Sequence, residues 1–393
     1  MEQETIRLTA PQKPSSELEE LSINTIRFLA VDAVEKAKSG HPGTPMEAAA
    51  MAYELWMNIM RYNPANPDWP NRDRFVLSAG HASMLQYAML HLTGYDLPME
   101  QLQRFRQIGS KTAGHPEYGH TPGIETTTGP LGQGFGTGVG MAVAERYLSG
   151  YFNRPGHSII DYHIYAYCSD GDMMEGISHE AASIAGNMKL NKLIYIYGDN
   201  HITIDGDTSK TFSDDVGKRF EAYHWFVQHI EGNDREAFKH AIEEAQSQSE
   251  KPSLIIARTH IGYGSPGKQD KASAHGAPLG TDEVKRTKEN LGWPLEPTFY
   301  IPDEVLRNFR QCVEKGRRSE EDWNRRFEAY RKEYSDLADT FQKWLKGELP
   351  ENWQKAIPDL SNEKPMATRQ ASAKVFAALA EVLPNMTIAP NKS

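Results

Sequence analysis

Cysteine, long apolar runs and excess positive charge are all scarce in this chain of 393 residues. Only two cysteines occur, Cys168 and Cys312, so neither a disulfide framework nor a zinc site can be built from them alone. No segment approaches the roughly 18 apolar residues that span a bilayer, so we expect no membrane partner. The net charge of −10 disfavours nucleic-acid binding, which needs Lys and Arg to neutralise phosphates.

Targeting signals and several common ligand motifs are also missing. The first eight residues are acidic and precede no apolar run, which excludes a secretory signal and, with so few cysteines, predicts a cytoplasmic protein. The glycine-rich run Gly132–Gly140 contains no complete G-x-G-x-x-G, so it does not support a dinucleotide site. The chain has no P-loop and no G-x-S-x-G elbow, which disfavours P-loop and hydrolase functions. At 39% hydrophobic residues, the chain can nevertheless bury a sizeable core.

Strand-like and helix-like segments alternate along most of the sequence. The β-rich runs are bounded by polar or glycine-containing turns and separated by helical patterns, which predicts a parallel α/β sheet with helices on both faces. The predicted strands are Arg74–Leu77, Ile159–Cys168, Lys192–Tyr197 and Ser253–Arg258.

The pattern changes after about Asn308. Apolar residues recur at steps of three and four from Trp323 to Leu345, which predicts one face of a single long helix that packs rather than binds a ligand. Residues 347–363 are rich in proline and polar side chains and predict a linker. A further helix is predicted from Ala367 to Leu383.

The most informative constellation joins the ends of two predicted strands. Asp170-Gly171 follows the strand that ends at Cys168, and Asn200 lies thirty positions later, after the next strand. In parallel sheets ligands bind at the carboxyl ends of strands, and Asp, Asn and backbone oxygens suit Mg²⁺ or Ca²⁺. Asp170 alone could belong to an ordinary acidic turn. The whole arrangement of strand, Asp-Gly, helix, strand and Asn is much more specific and predicts a metal site.

This arrangement closely resembles the transketolase family, in which an Asp-Gly turn and a later Asn form the thiamine-diphosphate motif. Further segments resemble the family in the same order, and five of them carry histidine or glycine at matching places. They are Ser39-Gly40-His41-Pro42-Gly43, Ser78-Ala79-Gly80-His81, Gly114-His115-Pro116-Glu117, Thr127-Thr128-Gly129-Pro130-Leu131-Gly132-Gln133-Gly134 and His275-Gly276. Ser169 stands where the family usually has glycine.

The resemblance implies the fold, the cofactors and the residues of a site. Transketolases move a two-carbon ketol unit from a ketose phosphate to an aldose phosphate, using thiamine diphosphate and Mg²⁺ (or Ca²⁺). The implied metal ligands are Asp170, Asn200 and the carbonyl of Ile202. The implied cofactor contacts are His81, Gly129, Pro130, Leu131, Gly171 and Asn200. The implied catalytic residues are His41, His115 and His275, and the implied substrate-binding residues are His41, His275 and Arg369.

The resemblance also implies a domain organisation. Residues 1–14 form a lead-in, 15–308 the diphosphate-binding domain, 309–365 a helical extension with a linker, and 366–393 the start of a pyrimidine-binding domain. In the family the cofactor lies between the diphosphate domain of one subunit and the pyrimidine domain of its partner. We therefore expect this chain to need a partner, either as a homodimer or with a chain that supplies the pyrimidine domain, and to have little activity alone.

Three functional interpretations stay open at this point. The chain is a shortened transketolase, a non-catalytic cofactor-binding or interaction module, or one subunit of an enzyme whose pyrimidine domain is a separate chain. The position of the C-terminus, shortly after the linker and one helix, favours the first. Related ketol-transferring enzymes such as dihydroxyacetone synthase share these motifs, so the donor and acceptor sugars are left open.

Overall fold

The computed structural model describes residues 16–386, so the predicted lead-in (1–14) and residues 387–393 lie outside the described part of the chain. The described residues form two compact units. The first contains the residues up to Tyr151 together with Ile160–Trp323, and the second contains Phe152–Ile159 and the residues from Asn324 onward. A search of the helices within 16–386 finds none with the length and apolar character needed to cross a bilayer.

The first unit is built on a parallel sheet. Its strands in chain order are β1 (Arg74–Leu77), β2 (Ile164–Ser169), β3 (Leu193–Asp199), β6 (Phe226–Glu231) and β7 (Ser253–Arg258), and a short hairpin pairs β4 (Ile202–Thr203) with β5 (Gly206–Asp207). Five strands pair in the order β1-β2-β3-β7-β6, all in parallel. Strands β2, β3 and β7 are almost wholly buried, as near-continuous apolar runs in parallel sheets are.

Helices cover both faces of this sheet. On β3, Ile194 and Ile196 belong to the core that includes helix residues on one side. Tyr195 points to the other side, where its ring centroid lies 4.4 Å from that of Phe135 and 5.5 Å from that of Trp225. The predicted fold class is therefore confirmed.

The helices of the chain have the following bounds. They are α1 (Ser16–Ala37), α2 (Gly43–Glu54, continued by a π turn at Leu55–Ile59), α3 (Ser83–Thr93), α4 (Met99–Leu102), α5 (Gln133–Phe152), α6 (Asp170–Met174), α7 (Gly176–Asn187), α8 (Val216–Ala222), α9 (Arg235–Gln246), α10 (Thr281–Asn290), α11 (Asp303–Glu333), α12 (Ser335–Leu345) and α13 (Thr368–Val382).

The start of β2 was predicted wrongly. The apolar run suggested a strand from Ile159, but β2 begins at Ile164. The backbone N–H of Asp161 donates to Asn71 Oδ1 (2.7 Å), and that of His163 donates to Asp73 Oδ1 (2.8 Å). Because side chains take up these backbone donors, the segment before Ile164 does not join the strand ladder.

Strand β6 was not predicted at all. It lies at the edge of the sheet and pairs only with β7. Its residues are half-buried or exposed, in contrast to those of the inner strands. Its sequence, Phe226-Val227-Gln228-His229-Ile230-Glu231, therefore lacks the continuous apolar run by which the other strands were predicted.

The second unit corrects the prediction of one long helix from Trp323 to Leu345. The structure has two helices, with the break at Tyr334, whose backbone angles (φ −131°, ψ 57°) are not helical. The ring centroid of Phe341 lies 5.6 Å from that of Phe327 and 5.1 Å from that of Phe152. In a continuous helix Phe327 and Phe341 would be about 21 Å apart, so the chain must turn to bring them together.

The rest of the second unit agrees with the sequence. The predicted linker contains one short 3₁₀ turn, Trp353–Ala356, and no longer element. The predicted helix after it is present as α13, and none of its side chains is buried.

Candidate functional site

The loops after β1, β2 and β3 bring polar side chains to one edge of the sheet. Strand β2 ends at Ser169, and Asp170 begins α6. Strand β3 ends at Asp199, directly before Asn200, and His81 lies in the turn that follows β1. Because the strands are parallel and adjacent, these residues share the carboxyl edge, where ligands bind in open α/β sheets.

Asp170 is a buried carboxyl group with an unsatisfied oxygen. Its side chain is 3% exposed, and Oδ1 accepts a hydrogen bond from the Tyr197 hydroxyl at 2.8 Å. Oδ2 is buried and has no hydrogen-bond partner within residues 16–386. Burial, with a smaller contribution from the Asp199 charge, raises the pKa of Asp170 to about 7. A buried acceptor left in this state is costly unless a ligand satisfies it.

Asn200 is held from both ends of its amide. Its Nδ2 donates to the two carboxyl oxygens of Glu47 at 3.0 and 3.1 Å, and its Oδ1 accepts from the backbone N–H of Ile202 at 2.8 Å. Glu47 is 1% exposed, and burial raises its pKa to about 8. The arrangement places an amide oxygen and the backbone of Ile202 beside each other after β3.

Three histidines contact one another at the same end of the unit. The ring centroids of His41 and His81 are 5.1 Å apart, those of His81 and His275 are 5.0 Å apart, and those of His41 and His275 are 5.7 Å apart. Burial and then the neighbouring His275 lower the pKa of His41 to about 4, and burial lowers the pKa of His81 and His275 as well. All three imidazoles are therefore neutral near pH 7, free to accept or share a proton.

Arg106 connects this group to His115. The guanidinium Nη2 lies 3.3 Å from His41 Nδ1, and Nη1 donates to the Ser39 hydroxyl at 2.9 Å. Burial and the Arg106 charge lower the pKa of His115. His115 lies against Gly129, because a Cβ at that glycine would be 3.2 Å from the imidazole Cγ.

The loop before α5 passes close to these side chains. Gly129 has a φ of +152°, which favours glycine, and a side chain there would contact the imidazole of His115 tightly. Pro130 is exposed and Leu131 is half-buried. The Leu131 side chain lies over Gly171, where a Cβ would be 2.7 Å from Leu131 Cδ1. The loop thus places backbone next to both the histidines and the start of α6.

Asp172 holds the loop before α5 against the ends of β1 and β2. Its Oδ1 accepts from the Ser78 hydroxyl at 2.7 Å and from the Gly132 backbone N–H at 2.8 Å, and its Oδ2 accepts from the Ser169 backbone N–H at 2.9 Å. One fully buried carboxylate therefore ties together the ends of β1 and β2 and the loop before α5. This role is positional rather than ligand-binding, since both oxygens are already satisfied.

The residues at this edge fit a divalent cation with a diphosphate. The unpartnered Asp170 Oδ2 would gain a charged partner, and the Asn200 amide and Ile202 carbonyl supply further hard oxygen atoms. Other buried atoms near this edge also lack a partner among the described residues, including Thr128 Oγ1, His81 Nε2 and His275 Nδ1. Each can form a hydrogen bond with a ligand group.

Comparison with known proteins decides the family. A family model described as transketolase, thiamine diphosphate binding domain, matches residues 18–350. The chain belongs to the transketolase family. Over 373 residues it is 54% identical to a transketolase of Halalkalibacterium halodurans. The aligned region covers 95% of this chain and 56% of that protein. It is 52% identical to transketolase 2 of Escherichia coli over 369 residues, or 92% of this chain and 55% of that protein.

Solved transketolase structures agree with this assignment. A Pichia stipitis transketolase in complex with sedoheptulose 7-phosphate superposes with a TM-score of 0.90 at 43% identity, over 94% of this chain and 55% of that one. The predicted family and the thiamine-diphosphate-binding fold are thereby confirmed. The chain spans about half the length of the curated transketolases it matches.

The structure brings the predicted site residues of the first unit to the carboxyl edge of its sheet. Arg369 is different, because it is an exposed residue of α13 in the second unit. The individual roles of all these residues stay predictions.

Three residues of the site were missed by the sequence reasoning. Glu47, Tyr197 and Arg106 contact the predicted residues Asn200, Asp170 and His41, respectively. Glu47 had a detectable signal, since it is an acid in an otherwise apolar stretch of α2 just after the His41 segment. Tyr197 and Arg106 had no such signal in the sequence, because their contacts with Asp170 and His41 form only in the folded chain.

Proposed function

We propose that this chain is the cofactor-binding part of a transketolase that transfers a two-carbon ketol unit from a ketose phosphate to an aldose phosphate. The observation that carries the proposal is the buried Oδ2 of Asp170 at the carboxyl edge of the sheet, which has no hydrogen-bond partner among residues 16–386. It lies after a strand adjacent to the one that precedes Asn200, as the family's motif requires.

The metal and diphosphate roles follow from the donors at this edge. Asp170, the Asn200 amide oxygen and the Ile202 carbonyl would hold Mg²⁺, or Ca²⁺, which prefer such oxygen ligands. The backbone of the loop before α5 and the start of α6 would approach the diphosphate closely, because glycines there leave space. The proposed cofactor contacts are His81, Gly129, Pro130, Leu131, Gly171 and Asn200.

The proposed catalytic residues are His41, His115 and His275. Their lowered pKa values keep these imidazoles neutral near pH 7, so they can accept hydrogen bonds from sugar hydroxyls and take up or return protons. His41 and His275 would also bind substrate, and Arg369 would bind its phosphate group as a bidentate donor.

The cofactor and substrate classes come from the family. Thiamine diphosphate, when bound, would supply the electron sink that breaking a carbon–carbon bond requires. Pichia stipitis transketolases have been solved with sedoheptulose 7-phosphate, xylulose 5-phosphate and fructose 6-phosphate. Sugar phosphates are therefore the proposed substrates of this chain as well.

The proposed partner is a second copy of the chain or a chain that carries a pyrimidine-binding domain. This chain spans about half the length of its curated relatives, so the transfer activity is proposed for an assembly that includes the remaining half. The proposed compartment is the cytoplasm, which is consistent with the buried free thiols of Cys168 and Cys312.

The test combines cofactor binding with ketol transfer. Binding of thiamine diphosphate to the purified chain is measured by calorimetry with and without Mg²⁺. Transfer from a ketose phosphate is then measured for the chain alone and after mixing with the remaining half of the H. halodurans relative. We expect Mg²⁺-dependent binding, and transfer that appears or rises strongly on mixing.

An Asp170→Ala variant and a matched surface control identify the site. Asp170→Ala should lose binding because it removes the charged metal ligand, whereas Asp96→Ala, at an exposed carboxylate, should bind like the wild type. Binding that ignores both Mg²⁺ and Asp170→Ala, with no transfer on mixing, would contradict the proposal and favour a non-catalytic interaction module.

A further inference from the structure

Glu47 is a buried acid within a stretch of α2 that otherwise buries small and apolar residues. All twelve residues of α2 are buried, and Glu47 is 1% exposed. Burying a carboxyl group is costly unless its oxygens are hydrogen-bonded. The contacts of Glu47 should therefore show why this helix carries an acid at this position.

The contacts of Glu47 are directed at one amide group. Both of its oxygens lie within hydrogen-bond distance of Asn200 Nδ2, at 3.0 and 3.1 Å. Since an amide has its donors at one end and its acceptor at the other, this contact fixes which way the amide faces. Oδ1 must then point away from Glu47, where it accepts from the backbone N–H of Ile202.

A second residue holds Glu47 in turn. The hydroxyl of Tyr167, on β2, donates to Glu47 Oε1 at 3.2 Å. This hydroxyl occupies space beside Gly198 of β3, where a Cβ would lie only 2.0 Å from the hydroxyl oxygen. A glycine within a strand weakens it, so its presence near the end of β3 is consistent with a need for this close approach. Tyr167, Glu47 and Asn200 thus form a connected chain of buried side chains.

We propose that Glu47 is a positioning residue, which holds the Asn200 amide so that its oxygen is presented to the divalent cation. This inference rests on the proposed function, because that function places the cation at Asn200. Residues that hydrogen-bond a metal ligand fix its orientation, and removing them typically costs about 10–100-fold in metal affinity.

The chain offers a matched control for this role. Glu54 lies on the same helix, is 5% exposed, and accepts a hydrogen bond from the amide Nδ2 of Asn58 at 2.9 Å. Glu47→Ala and Glu54→Ala therefore both remove a buried carboxyl group that pairs with an Asn amide. Only the first lies at the proposed cation site.

The experiment measures Mn²⁺ binding to the full chain in the presence of thiamine diphosphate, by electron paramagnetic resonance. We expect Glu47→Ala to weaken the Mn²⁺ affinity by about 10–100-fold and Glu54→Ala to leave it unchanged. Glu47→Gln should retain most of the affinity, because its amide oxygen still accepts from Asn200 Nδ2. Thermal unfolding of each variant separates loss of fold from loss of orientation.

The outcomes distinguish this inference from the proposed function. If wild-type chain binds Mn²⁺ with the cofactor and Asp170→Ala does not, but Glu47→Ala behaves like Glu54→Ala, the positioning role is wrong and the metal site stands. A Glu47→Gln variant as weak as Glu47→Ala would also overturn it. If the wild type itself binds no Mn²⁺ with the cofactor, both the site and the positioning role fail.

Discussion

At the scale of single residues, Arg106 sets the state of His41. A guanidinium can only donate hydrogen bonds, so its contact at 3.3 Å makes His41 Nδ1 the acceptor and leaves the proton on Nε2. The positive charge also helps to lower the pKa of His41, after burial and His275. In Arg106→Gln we expect a higher pKa of His41 that stays below the ordinary 6.5, because burial is the larger cause.

Nuclear magnetic resonance of ¹⁵N-labelled histidine side chains measures which nitrogen of His41 carries the proton, and the pKa of His41, in the isolated chain. Arg104→Gln is the control, since Arg104 is exposed and its guanidinium donates to the backbone carbonyl of Ile108. Two results would show that Arg106 does not act on this imidazole. One is a wild-type His41 with its proton on Nδ1, and the other is an equal pKa of His41 in Arg106→Gln and Arg104→Gln.

The same lowered pKa makes stability depend on pH. Unfolded His41 has an ordinary pKa near 6.5 and folded His41 has a pKa of about 4, so the unfolded chain binds more protons between these values. Protonation of His41 in the unfolded chain therefore lowers the free energy of unfolding as the pH falls from about 6.5 towards about 4, and has no effect above that range. We expect a shallower pH dependence in His41→Asn, measured by urea unfolding. His240→Asn, at an exposed position of α9, should unfold like the wild type, and an equal slope in all three chains would contradict the prediction.

At the scale of elements, two of the five glycines in helix α5 have opposite expected effects on stability. A Cβ at Gly138 would lie 2.3 Å from the hydroxyl oxygen of Tyr195, which donates to the backbone carbonyl of Phe135. At Gly140 nothing lies within 4 Å. We expect Gly138→Ala to lower the unfolding free energy by about 1–3 kcal/mol through overpacking, and Gly140→Ala to raise it by about 0.5–1 kcal/mol through helix propensity. Denaturant unfolding of the two variants tests this, and equal effects would refute the close packing of α5 on β3.

The elements also show how far sequence reasoning could reach. Strands β1 and β7 were predicted with the observed bounds, because their apolar runs and flanking turns are local signals. The break at Tyr334 was not predicted, because it follows from Phe341 packing against Phe152, a residue far away in sequence. The placement of Asp170 and Asn200 at one edge of the sheet could be predicted from spacing, since parallel strands place their ends together. Glu47 could not, because its partner Asn200 is 153 positions away.

At the scale of the whole chain, the segment after α12 contributes little to the fold. None of the side chains of α13 is buried, and several apolar residues around it are exposed, including Leu349 (51%), Ile357 (43%) and Phe376 (48%). A chain that ends at Lys346 should therefore melt within about 2 °C of the full chain and bind Mg²⁺ and thiamine diphosphate equally well. Scanning calorimetry and the binding assay test this. A large loss of melting temperature would show that residues 347–393 stabilise the fold.

The same shortened chain separates cofactor binding from transfer. It lacks Arg369, the proposed ligand of the substrate phosphate, and the exposed apolar side chains of α13. Mixed with the remaining half of the H. halodurans relative, the full chain should give ketol transfer, and hydrogen exchange of residues 368–382 should slow as a partner covers α13. The shortened chain should bind cofactor but give little transfer under the same conditions. Equal transfer by both chains would mean that residues 347–393, Arg369 included, have no part in the site.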